Sequence, residues 1–257
     1  MIHIRSLTFA YPGGSPVFES FNWEVSSRDA WAVLGPSGCG KTSLLYLLSG
    51  LLRPATGEVL IQGTKLLRPR PRTGLILQDY GLLPWATVEQ NVALGWTVRR
   101  FYGPDERHAP ADEPLESGAE HMEQWLERLG LDSLRSQFPH QLSGGQRQRT
   151  AIARTLSLGP DLLLMDEPFA SLDAPTREAL QDTILALRRE RALTTVAVTH
   201  AIEEAAILGE HILLLSAPPN REAVIIHNPD FRREDFRGSN AYQALCNRLR
   251  TALEEAA

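Results

Sequence analysis

The sequence has little cysteine, no long apolar run and no excess of basic charge. Only Cys39 and Cys246 occur among 257 residues, so no disulfide framework is implied and a reducing compartment is expected. No apolar run approaches the roughly 18 residues that suggest a membrane span. The opening Met1 to Arg5 alternates apolar and polar residues as a strand does, unlike a secretory signal. The net charge of −5 argues against a chain that holds nucleic acid by general electrostatics. We therefore expect a chain that is soluble by itself and has no nucleic-acid partner.

Apolar patterning predicts an α/β fold. Hydrophobic residues make up 43% of the chain, which is enough for one large globular domain or two small ones. Short apolar runs separated by turn residues predict an antiparallel β layer within residues 1–34, of which 30–34 form a buried strand. Three later runs have the continuous apolar or β-branched character of parallel strands: 162–165, 195–199 and 212–215. Helical composition at 174–189 and 201–208 alternates with these runs and favours α/β layers.

The middle of the chain differs in character. Residues 87–158 give helical signals and no convincing strand, and Thr87 to Gln90 has the form of a capping box. A further helix places four apolar side chains on one stripe: Met122, Trp125, Leu126 and Leu129. The proline-containing stretch 99–118 is expected to be an exposed, mobile linker. The sequence thus predicts a helical insertion in an α/β core.

These patterns divide the chain into parts of a single domain, residues 1–257. The predicted catalytic α/β core comprises residues 1–86 and 159–215, the helical subdomain residues 87–158, and the C-terminal tail residues 216–257. The tail contains a helix whose apolar face is expected to pack on the body of the protein. That face consists of Tyr242, Leu245, Leu249 and Leu253.

A glycine-rich loop between an apolar strand and a helix predicts a phosphate-binding site. The pattern G-x-x-x-x-G-K-[ST] lets backbone N–H groups approach phosphates, while Lys41 neutralises the outer phosphates and Thr42 ligates Mg²⁺. The residues expected to bind the nucleotide here are Gly35, Pro36, Ser37, Gly38, Cys39, Gly40, Lys41, Thr42 and Ser43. A helix N-terminus could make the thiol of Cys39 reactive; the alternative is a small filler residue.

An acidic pair follows the second apolar strand. Asp166 and Glu167 end the run that begins at Leu162, where P-loop proteins place an aspartate that reaches the metal. Consecutive residues of an extended chain point to opposite sides, so the two carboxylates are expected to have different tasks. We assign Asp166 to Mg²⁺ and Glu167 to polarising an attacking water. The alternative is two solvated carboxylates at a strand end.

A third motif, Leu142-Ser143-Gly144-Gly145-Gln146, predicts another phosphate-binding helix start. Ser143 can cap the helix, and Gly144 and Gly145 leave backbone N–H groups open to an anion. One chain thus offers two such helix starts.

The order of these motifs resembles the ATP-binding subunit of ABC transporters over about residues 1–215, with Leu142 to Gln146 as that family's signature sequence. The resemblance implies a P-loop NTPase fold that binds ATP and Mg²⁺ and hydrolyses ATP. It implies that Gln78 contacts Mg²⁺ and the reaction water, and that His200 contacts the γ-phosphate and positions Glu167.

Two more positions match the family pattern. Tyr11 falls where the family stacks an aromatic ring on adenine; the alternative is a strand tyrosine in the core. Asp173, in Ser171-Leu172-Asp173, falls in the segment that in this family faces the opposite subunit. The alternative is a capped helix start.

Because the signature completes the ATP site of the partner in this family, the resemblance implies a head-to-tail pair. Each ATP would be held by Lys41 of one chain and by the signature of the other, where the ATP-binding residues are Ser143, Gly144, Gly145 and Gln146.

Gly81 to Trp85 matches the place where the family docks a cytoplasmic helix of its membrane subunit, with core packing as the alternative. The Leu-Leu-Pro-Trp sequence and the short chain resemble importer ATPases of the nitrate, sulfonate and taurine type, a group that also includes pyrimidine-precursor importers. The resemblance implies a small anionic or heterocyclic solute. The implied partners are a second copy of the ATPase subunit, a transmembrane permease and a solute-binding protein, at the cytoplasmic face of the inner membrane. An exporter ATPase, a non-transport ABC protein acting as a switch, and a catalytically silent assembly subunit are the alternatives.

Overall fold

The computed structural model describes residues 1–102, 118–170, 172–233 and 235–255. Its strands are β1 (Ile2–Ala10), β2 (Pro16–Val25), β3 (Ala30–Leu34), β4 (Thr56–Ile61), β5 (Thr64–Lys65), β6 (Thr73–Ile76), β7 (Leu162–Asp166), β8 (Thr194–Val198), β9 (His211–Leu214) and β10 (Val224–His227). Its α-helices are α1 (Lys41–Ser49), α2 (Val88–Tyr102), α3 (Gly118–Arg128), α4 (Gly144–Leu156), α5 (Ala174–Arg191), α6 (Ile202–Leu208) and α7 (Asn240–Glu255). Among these residues, no helix combines the length and apolar character needed to cross a membrane.

The fold consists of two compact units. The first contains Met1–Pro69, Leu164–Glu167 and Leu185–Ala257, and the second contains Arg70–Leu163 and Pro168–Ile184. The second unit therefore begins before the helical subdomain proposed from the sequence and includes β6.

The expected antiparallel β layer lies in the first unit, with the strand order β2-β1-β4-β5. Along β1, Ile2, Ile4 and Phe9 are buried, so one face of the layer contributes to the core. The rings of Phe18 and Phe21 from β2 pack against each other with centroids 5.2 Å apart. The prediction of this layer from residues 1–34 is confirmed for β1 and β2 and is wrong for residues 30–34, which form β3 of the other sheet. The sequence analysis did not identify β4 and β5.

The first unit also contains most of the parallel sheet, with β10-β9-β3-β8 in that order followed by Leu164–Asp166 of β7. β3 pairs in parallel with β8 and β9, as the buried apolar runs predicted, and every residue of β3, β7 and β8 is buried. The backbone N–H of Glu167, just after β7, donates to the carbonyl of Val198 at the end of β8 (2.9 Å). These strands therefore end at one edge of the sheet, where P-loop proteins bind nucleotide.

The tail beyond Leu215 adds to this sheet and covers it. β10 pairs antiparallel with β9, a strand that the sequence analysis missed. Helix α7 packs as predicted: Leu245 and Leu249 are buried in a cluster with Leu34 and Ala205, and Tyr242 and Leu253 pack against that cluster. The tail is thus an integral part of the first unit.

The second unit is mainly helical, and none of its described residues between 87 and 158 lies in a strand. The capping box is confirmed: the N–H of Thr87 donates to Oε1 of Gln90 (2.9 Å), and the N–H of Gln90 to Oγ1 of Thr87 (3.3 Å). Trp125, Leu126 and Leu129 are buried, as the apolar stripe predicted.

The linker expected at 99–118 is wrong over its first residues, because α2 continues to Tyr102. Residues 99–102 contain no helix breaker, and the glycine and proline that disfavour a helix stand at 103 and 104. The rest of the expected linker, 103–117, lies outside the described residues.

Candidate active site

The phosphate loop connects the end of β3 to α1, and two of its positions require glycine. A Cβ on Gly35 would lie 2.5 Å from the carbonyl oxygen of Leu215 and 2.7 Å from Sγ of Cys39. Gly40, the N-cap of α1, has φ of 105°, and a Cβ there would lie 2.5 Å from Cγ1 of Val17. No side chain caps α1, so its first N–H groups face the loop without a side-chain acceptor.

Lys41 lies inside this loop. Its side chain is almost fully buried, and Nζ donates to the carbonyl oxygens of Gly35 (2.8 Å) and Pro36 (2.9 Å). A buried ammonium group needs such acceptors, and phosphate oxygens are alternative acceptors of the same kind. The sequence prediction and the geometry agree on where this positive charge lies.

Cys39 is a filler residue in this structure. Its side chain is buried, and burial raises the pKa of the thiol above its ordinary value, although the nearby charge of Lys41 opposes the rise. A reactive cysteine needs a lowered pKa. The reactive alternative is therefore wrong.

Thr42 and Asp166 are brought together across the first unit. The Oγ1 hydroxyl of Thr42 donates to Oδ1 of Asp166 at 3.2 Å, and Asp166 is buried. Burial raises the pKa of Asp166 and the charge of Glu167 adds to the rise, while the hydrogen bond from Thr42 and the charge of Lys41 oppose it. A buried carboxylate that is costly to ionise gains from a neighbouring cation.

The same pair fits a magnesium ion. A hydroxyl and a carboxylate are hard oxygen ligands, and Mg²⁺ in phosphoryl-transfer sites takes one or two protein ligands, with water and phosphate completing its shell. Within the described parts of the chain, no group of three or more His, Cys, Asp or Glu residues is placed to hold a metal by itself.

Glu167 and His200 form the second pair of the site. Nδ1 of His200 lies 3.0 Å from Oε1 of Glu167, and the carboxylate is mostly buried while the imidazole is exposed. The backbone of Glu167 has φ of 45°, in the left-handed region that a non-glycine residue adopts at a cost. The extended chain assumed at Asp166 and Glu167 is therefore wrong. The carboxylates nevertheless differ in their contacts, since Asp166 contacts Thr42 and Glu167 contacts His200.

Tyr11 lies beside the phosphate loop, and the core alternative for it is wrong. Its side chain is 46% exposed, its hydroxyl is 3.0 Å from Oγ of Ser43 at the start of α1, and its ring meets Phe9 edge-on. An exposed ring fixed next to the phosphate loop is available for stacking.

Asn220 supports the loop from the tail, and the sequence analysis missed it. The buried amide donates from Nδ2 to the carbonyl oxygens of Cys39 (2.8 Å) and Val17 (3.2 Å), while Oδ1 accepts from the N–H of Ser216 (2.9 Å). An isolated asparagine in a tail carries no local pattern, so no sequence signal could have found it.

The second unit carries the signature residues at the start of α4. Ser143 is the N-cap, as predicted: its Oγ accepts from the N–H of Gln146 (3.3 Å), and its own N–H donates to Oε1 of Gln146 (2.8 Å). A Cβ on Gly145 would lie 2.8 Å from Cγ2 of Thr176, so this position has no room for a side chain. Ser143 is exposed and Gly144 is partly exposed.

Two other predicted residues lie in this unit. Oδ2 of Asp173 accepts from the N–H of Thr176 (3.3 Å) at the start of α5, and the hydrogen bond from Thr176 lowers the pKa of Asp173. This is the capped helix start that was the alternative for Asp173. Gln78 is exposed, two residues after β6. Ser171 lies outside the described residues.

The segment Gly81 to Trp85 and its neighbouring residues form backbone hydrogen bonds with two polar side chains. Trp85 is 73% exposed, so the core-packing alternative is wrong for its ring. The buried amide of Asn91 accepts from the N–H of Leu83 (2.8 Å) and donates to the carbonyl of Ala86 (2.9 Å). The guanidinium of Arg154 donates to the carbonyls of Tyr80 (2.8 Å) and Gly81 (2.6 Å). The sequence analysis singled out neither Asn91 nor Arg154.

The described contacts thus join one set of predicted residues in the first unit: the phosphate loop, Tyr11, the Thr42 and Asp166 pair, and the Glu167 and His200 pair. Gln78, the signature residues and Asp173 belong to the second unit. The first unit thus contains the ammonium group of Lys41, the hydroxyl–carboxylate pair and the carboxylate–imidazole pair. The second unit contains the capped start of α4.

Comparisons with known proteins identify the family of this chain. The sequence profile described as ABC transporter matches residues 18–170. The chain is 37% identical over 216 residues to the aliphatic sulfonates import ATP-binding protein SsuB of Bacillus cereus, covering 84% of this chain and 80% of that protein. It is 39% identical over 227 residues to the taurine import ATP-binding protein TauB of Escherichia coli O157:H7, covering 86% and 82%.

A solved structure gives the same result for the fold. The ATP-binding cassette MJ0796, described as a dimer in a post-hydrolysis state bound to ADP and Pi, superposes with a TM-score of 0.72 at 29% identity. The match covers 88% of this chain and 98% of that one.

Proposed function

Because the chain belongs to the ABC transporter family of ATP-binding proteins, we propose that its ATP hydrolysis drives the import of a small anionic solute such as a sulfonate. The observation that carries the hydrolysis in this proposal is the pairing of Glu167 with His200 beside the Thr42 and Asp166 pair. These are the groups that hydrolysis of a bound nucleoside triphosphate needs, held at one edge of the sheet. Import of a sulfonate is supported by the likeness to SsuB and TauB.

The chemistry follows from positioning and charge. The phosphate loop and Lys41 bind the phosphates, and Tyr11 stacks on the adenine. Thr42, Asp166 and Gln78 would hold Mg²⁺, which when bound neutralises charge that develops on the phosphates. Glu167 orients and polarises the attacking water, while His200 fixes the carboxylate and contacts the γ-phosphate.

The helix start at Ser143 completes the site of a second copy. In this arrangement two chains pair head to tail, and the signature of one faces the phosphates that Lys41 of the other holds. The capping box supports this because it orders the helix start before any ligand arrives. The dimeric state described for the cassette MJ0796 supports it as well. In each copy Asp173 faces the opposite subunit, with its helix-capping bond to Thr176 retained.

The exposed segment Gly81 to Trp85 is the proposed docking place for a transmembrane permease at the cytoplasmic face of the inner membrane. An exposed tryptophan on a segment fixed by Asn91 and Arg154 is a suitable interface anchor. A solute-binding protein would deliver the solute to the permease. Within the single domain of residues 1–257, we retain residues 87–158 as the helical subdomain that carries the signature.

Reconstitution tests this proposal. The chain would be co-purified with the permease encoded beside its gene, incorporated into vesicles with the matching solute-binding protein, and assayed for ATP hydrolysis. We expect taurine or a short alkanesulfonate to raise the ATPase rate and to accumulate on the side of the membrane that contains ATP, which corresponds to the cytoplasm. Transport towards the other side would support the exporter alternative and contradict import.

A further inference from the structure

Four arginines surround a cavity in the first unit, away from the phosphate loop. The cavity has a volume of about 410 Å³. Its lining includes Arg28, Arg188, Arg189 and Arg232 together with the apolar side chains of Leu185 and Phe231. Arg28 comes just before β3, whose other end leads into the phosphate loop, so the cavity lies at the opposite edge of the parallel sheet from Lys41.

The charges around this cavity are unbalanced. Glu210 is shared by two of the arginines: Nη2 of Arg188 lies 3.0 Å from its Oε2, and Nη2 of Arg232 lies 3.0 Å from its Oε1. The guanidinium groups of Arg28 and Arg189 form no hydrogen bond or ion pair with any residue that the structure describes. Two positive charges at the cavity are therefore available to an anion.

Arg188 provides a further unpaired donor. Its side chain is 9% exposed and lies over the ring of Phe231, 5.0 Å from the centroid. Nη2 also donates to the carbonyl of Arg28 (2.6 Å), but the buried Nε has no hydrogen-bond partner within the described parts of the chain. Burial lowers the pKa of Arg188, and Glu210 opposes this effect. Buried polar groups are rarely left unpaired, so an orphaned donor on a residue that lines the cavity favours an acceptor bound nearby.

The size and lining of the cavity define the class of ligand. Binding sites for small molecules have volumes of roughly 300–1,000 Å³ and combine apolar walls with a few polar groups. An inorganic oxyanion would fill a small part of such a space, since one water molecule takes about 30 Å³ in the liquid. The guanidinium fork matches the geometry of oxyanions, and a phenylalanine face matches a hydrocarbon group.

We propose that this cavity binds a small organic anion, whose sulfonate or phosphate group pairs with Arg28, Arg188 and Arg189 and whose hydrocarbon part packs on Phe231 and Leu185. The site is separate from ATP hydrolysis and does not depend on which solute is transported.

Ligand-observed ¹⁹F NMR with 4-fluorobenzenesulfonate tests the site on the purified full-length chain. We expect wild-type protein to bind the probe and the R28N/R189Q variant to bind it at least about tenfold more weakly, because two charge-assisted contacts are lost. Asparagine suits position 28, where φ is 70°. The matched control is R221Q/R233Q, which removes the same charge from arginines paired with Glu19 and Asp235 instead. The control should bind like wild type.

Several results would overturn the proposal. These are an absence of binding by wild type at millimolar probe, equal binding by R28N/R189Q and wild type, and an equal loss in the control. Thermal unfolding checks that R28N/R189Q is folded; if it is not, R189Q alone takes its place with the same comparison.

Two further arms locate the ligand. K41A should bind the probe like wild type, and loss of binding in K41A would place the probe on the phosphate loop and overturn the proposal. Inorganic sulfate should bind at least about tenfold more weakly than the probe, because it lacks the part that packs on Phe231. Equal affinity for sulfate and the probe would contradict the proposed contribution of the hydrocarbon part of the ligand.

Discussion

The two helix starts that the sequence predicts to bind phosphate, one in each unit, have different surroundings. Helix α1 has no side-chain cap, and its start is surrounded by Lys41, the Thr42 and Asp166 pair, and Tyr11. Helix α4 is capped by its own Ser143 and Gln146, and no acidic or basic side chain forms a hydrogen bond with Ser143 among the described residues. The first helix start lies beside the residues proposed for hydrolysis, whereas the second is a capped helix start without such residues. A helix start of the second kind can act on ATP only by facing a site of the first kind.

The largest expected effect concerns the chemistry of the first unit. We expect Glu167→Gln to lower ATP turnover at least about 100-fold, because an amide cannot accept the proton of the attacking water. ATP binding, measured with a fluorescent ATP analogue, should persist because the phosphate loop is unchanged. Glu203→Gln is the matched control: this glutamate is exposed on α6 and its variant should turn over ATP normally. Undiminished hydrolysis by Glu167→Gln would remove this residue from the site.

A complementation experiment tests whether the two helix starts meet between chains. Purified, differently tagged pairs would combine K41A with S143R, or wild type with the double variant K41A/S143R. In a head-to-tail pair, the first combination keeps one intact composite site and the second keeps none. We expect the first to hydrolyse ATP at least about tenfold faster than the second. A self-contained monomeric ATPase would give the reverse order.

A smaller effect is expected from removing the side chain of Asn220, which forms hydrogen bonds with the backbone of the phosphate loop. Asn220→Ala leaves the carbonyl oxygens of Cys39 and Val17 without their amide donor, which should lower the free energy of unfolding by about 1–3 kcal/mol and weaken ATP binding. Urea denaturation and ATP titration measure the two effects. Asn247→Ala, at an exposed position of α7, is the control and should change neither quantity. Unchanged ATP affinity in Asn220→Ala would show that ATP binding does not depend on this contact between the tail and the phosphate loop.

The smallest effects distinguish the two units by the sign of their pH dependence. Folding raises the pKa of Asp166, so its contribution to stability is present below its ordinary value of 3.8 and is lost as pH rises through the raised value. Asp166→Asn should therefore raise Tm at pH 7 by about 2–4 °C, the shift that roughly 1 kcal/mol gives in a domain of this size. The gain should disappear at acid pH.

Asp173 in the second unit provides the opposite case. Its pKa is lowered by the hydrogen bond from Thr176, so its contribution is present above its ordinary value and is lost as pH falls through the lowered one. Asp173→Asn should lower Tm at pH 7, and the difference should fade in acid. Differential scanning fluorimetry from pH 3.5 to pH 8 measures both variants. The same sign in the two variants would contradict the assignment of a buried carboxylate to one unit and a capping carboxylate to the other.

The sequence predicted the parts of the site that depend on local spacing. A glycine loop after a buried strand, an acidic pair at a strand end and a serine before two glycines each carry their geometry within a few residues. The parallel strands and the apolar face of α7 were predictable for the same reason, since a repeating pattern shows which side is buried.

Other features depend on contacts between residues that are far apart in the chain. Asn220 reaches a carbonyl 181 positions away, and Arg154 reaches one 73 positions away. β10 pairs with β9 although its first two residues are exposed, so the strand lacks the buried character that identified the others. The left-handed backbone of Glu167 was not predictable either, because the surrounding structure imposes it against the preference of the residue.

The position of Asn220 also determines where this chain can be shortened. The motifs of the resemblance end near Leu215, and a truncation there would look harmless by sequence. It would remove the amide that holds the carbonyl of Cys39 and, with α7, the cover over Leu34. Such a fragment would keep every recognisable motif and lose the support that keeps the phosphate loop in shape, so the presence of all motifs is not a sufficient criterion for choosing its boundaries.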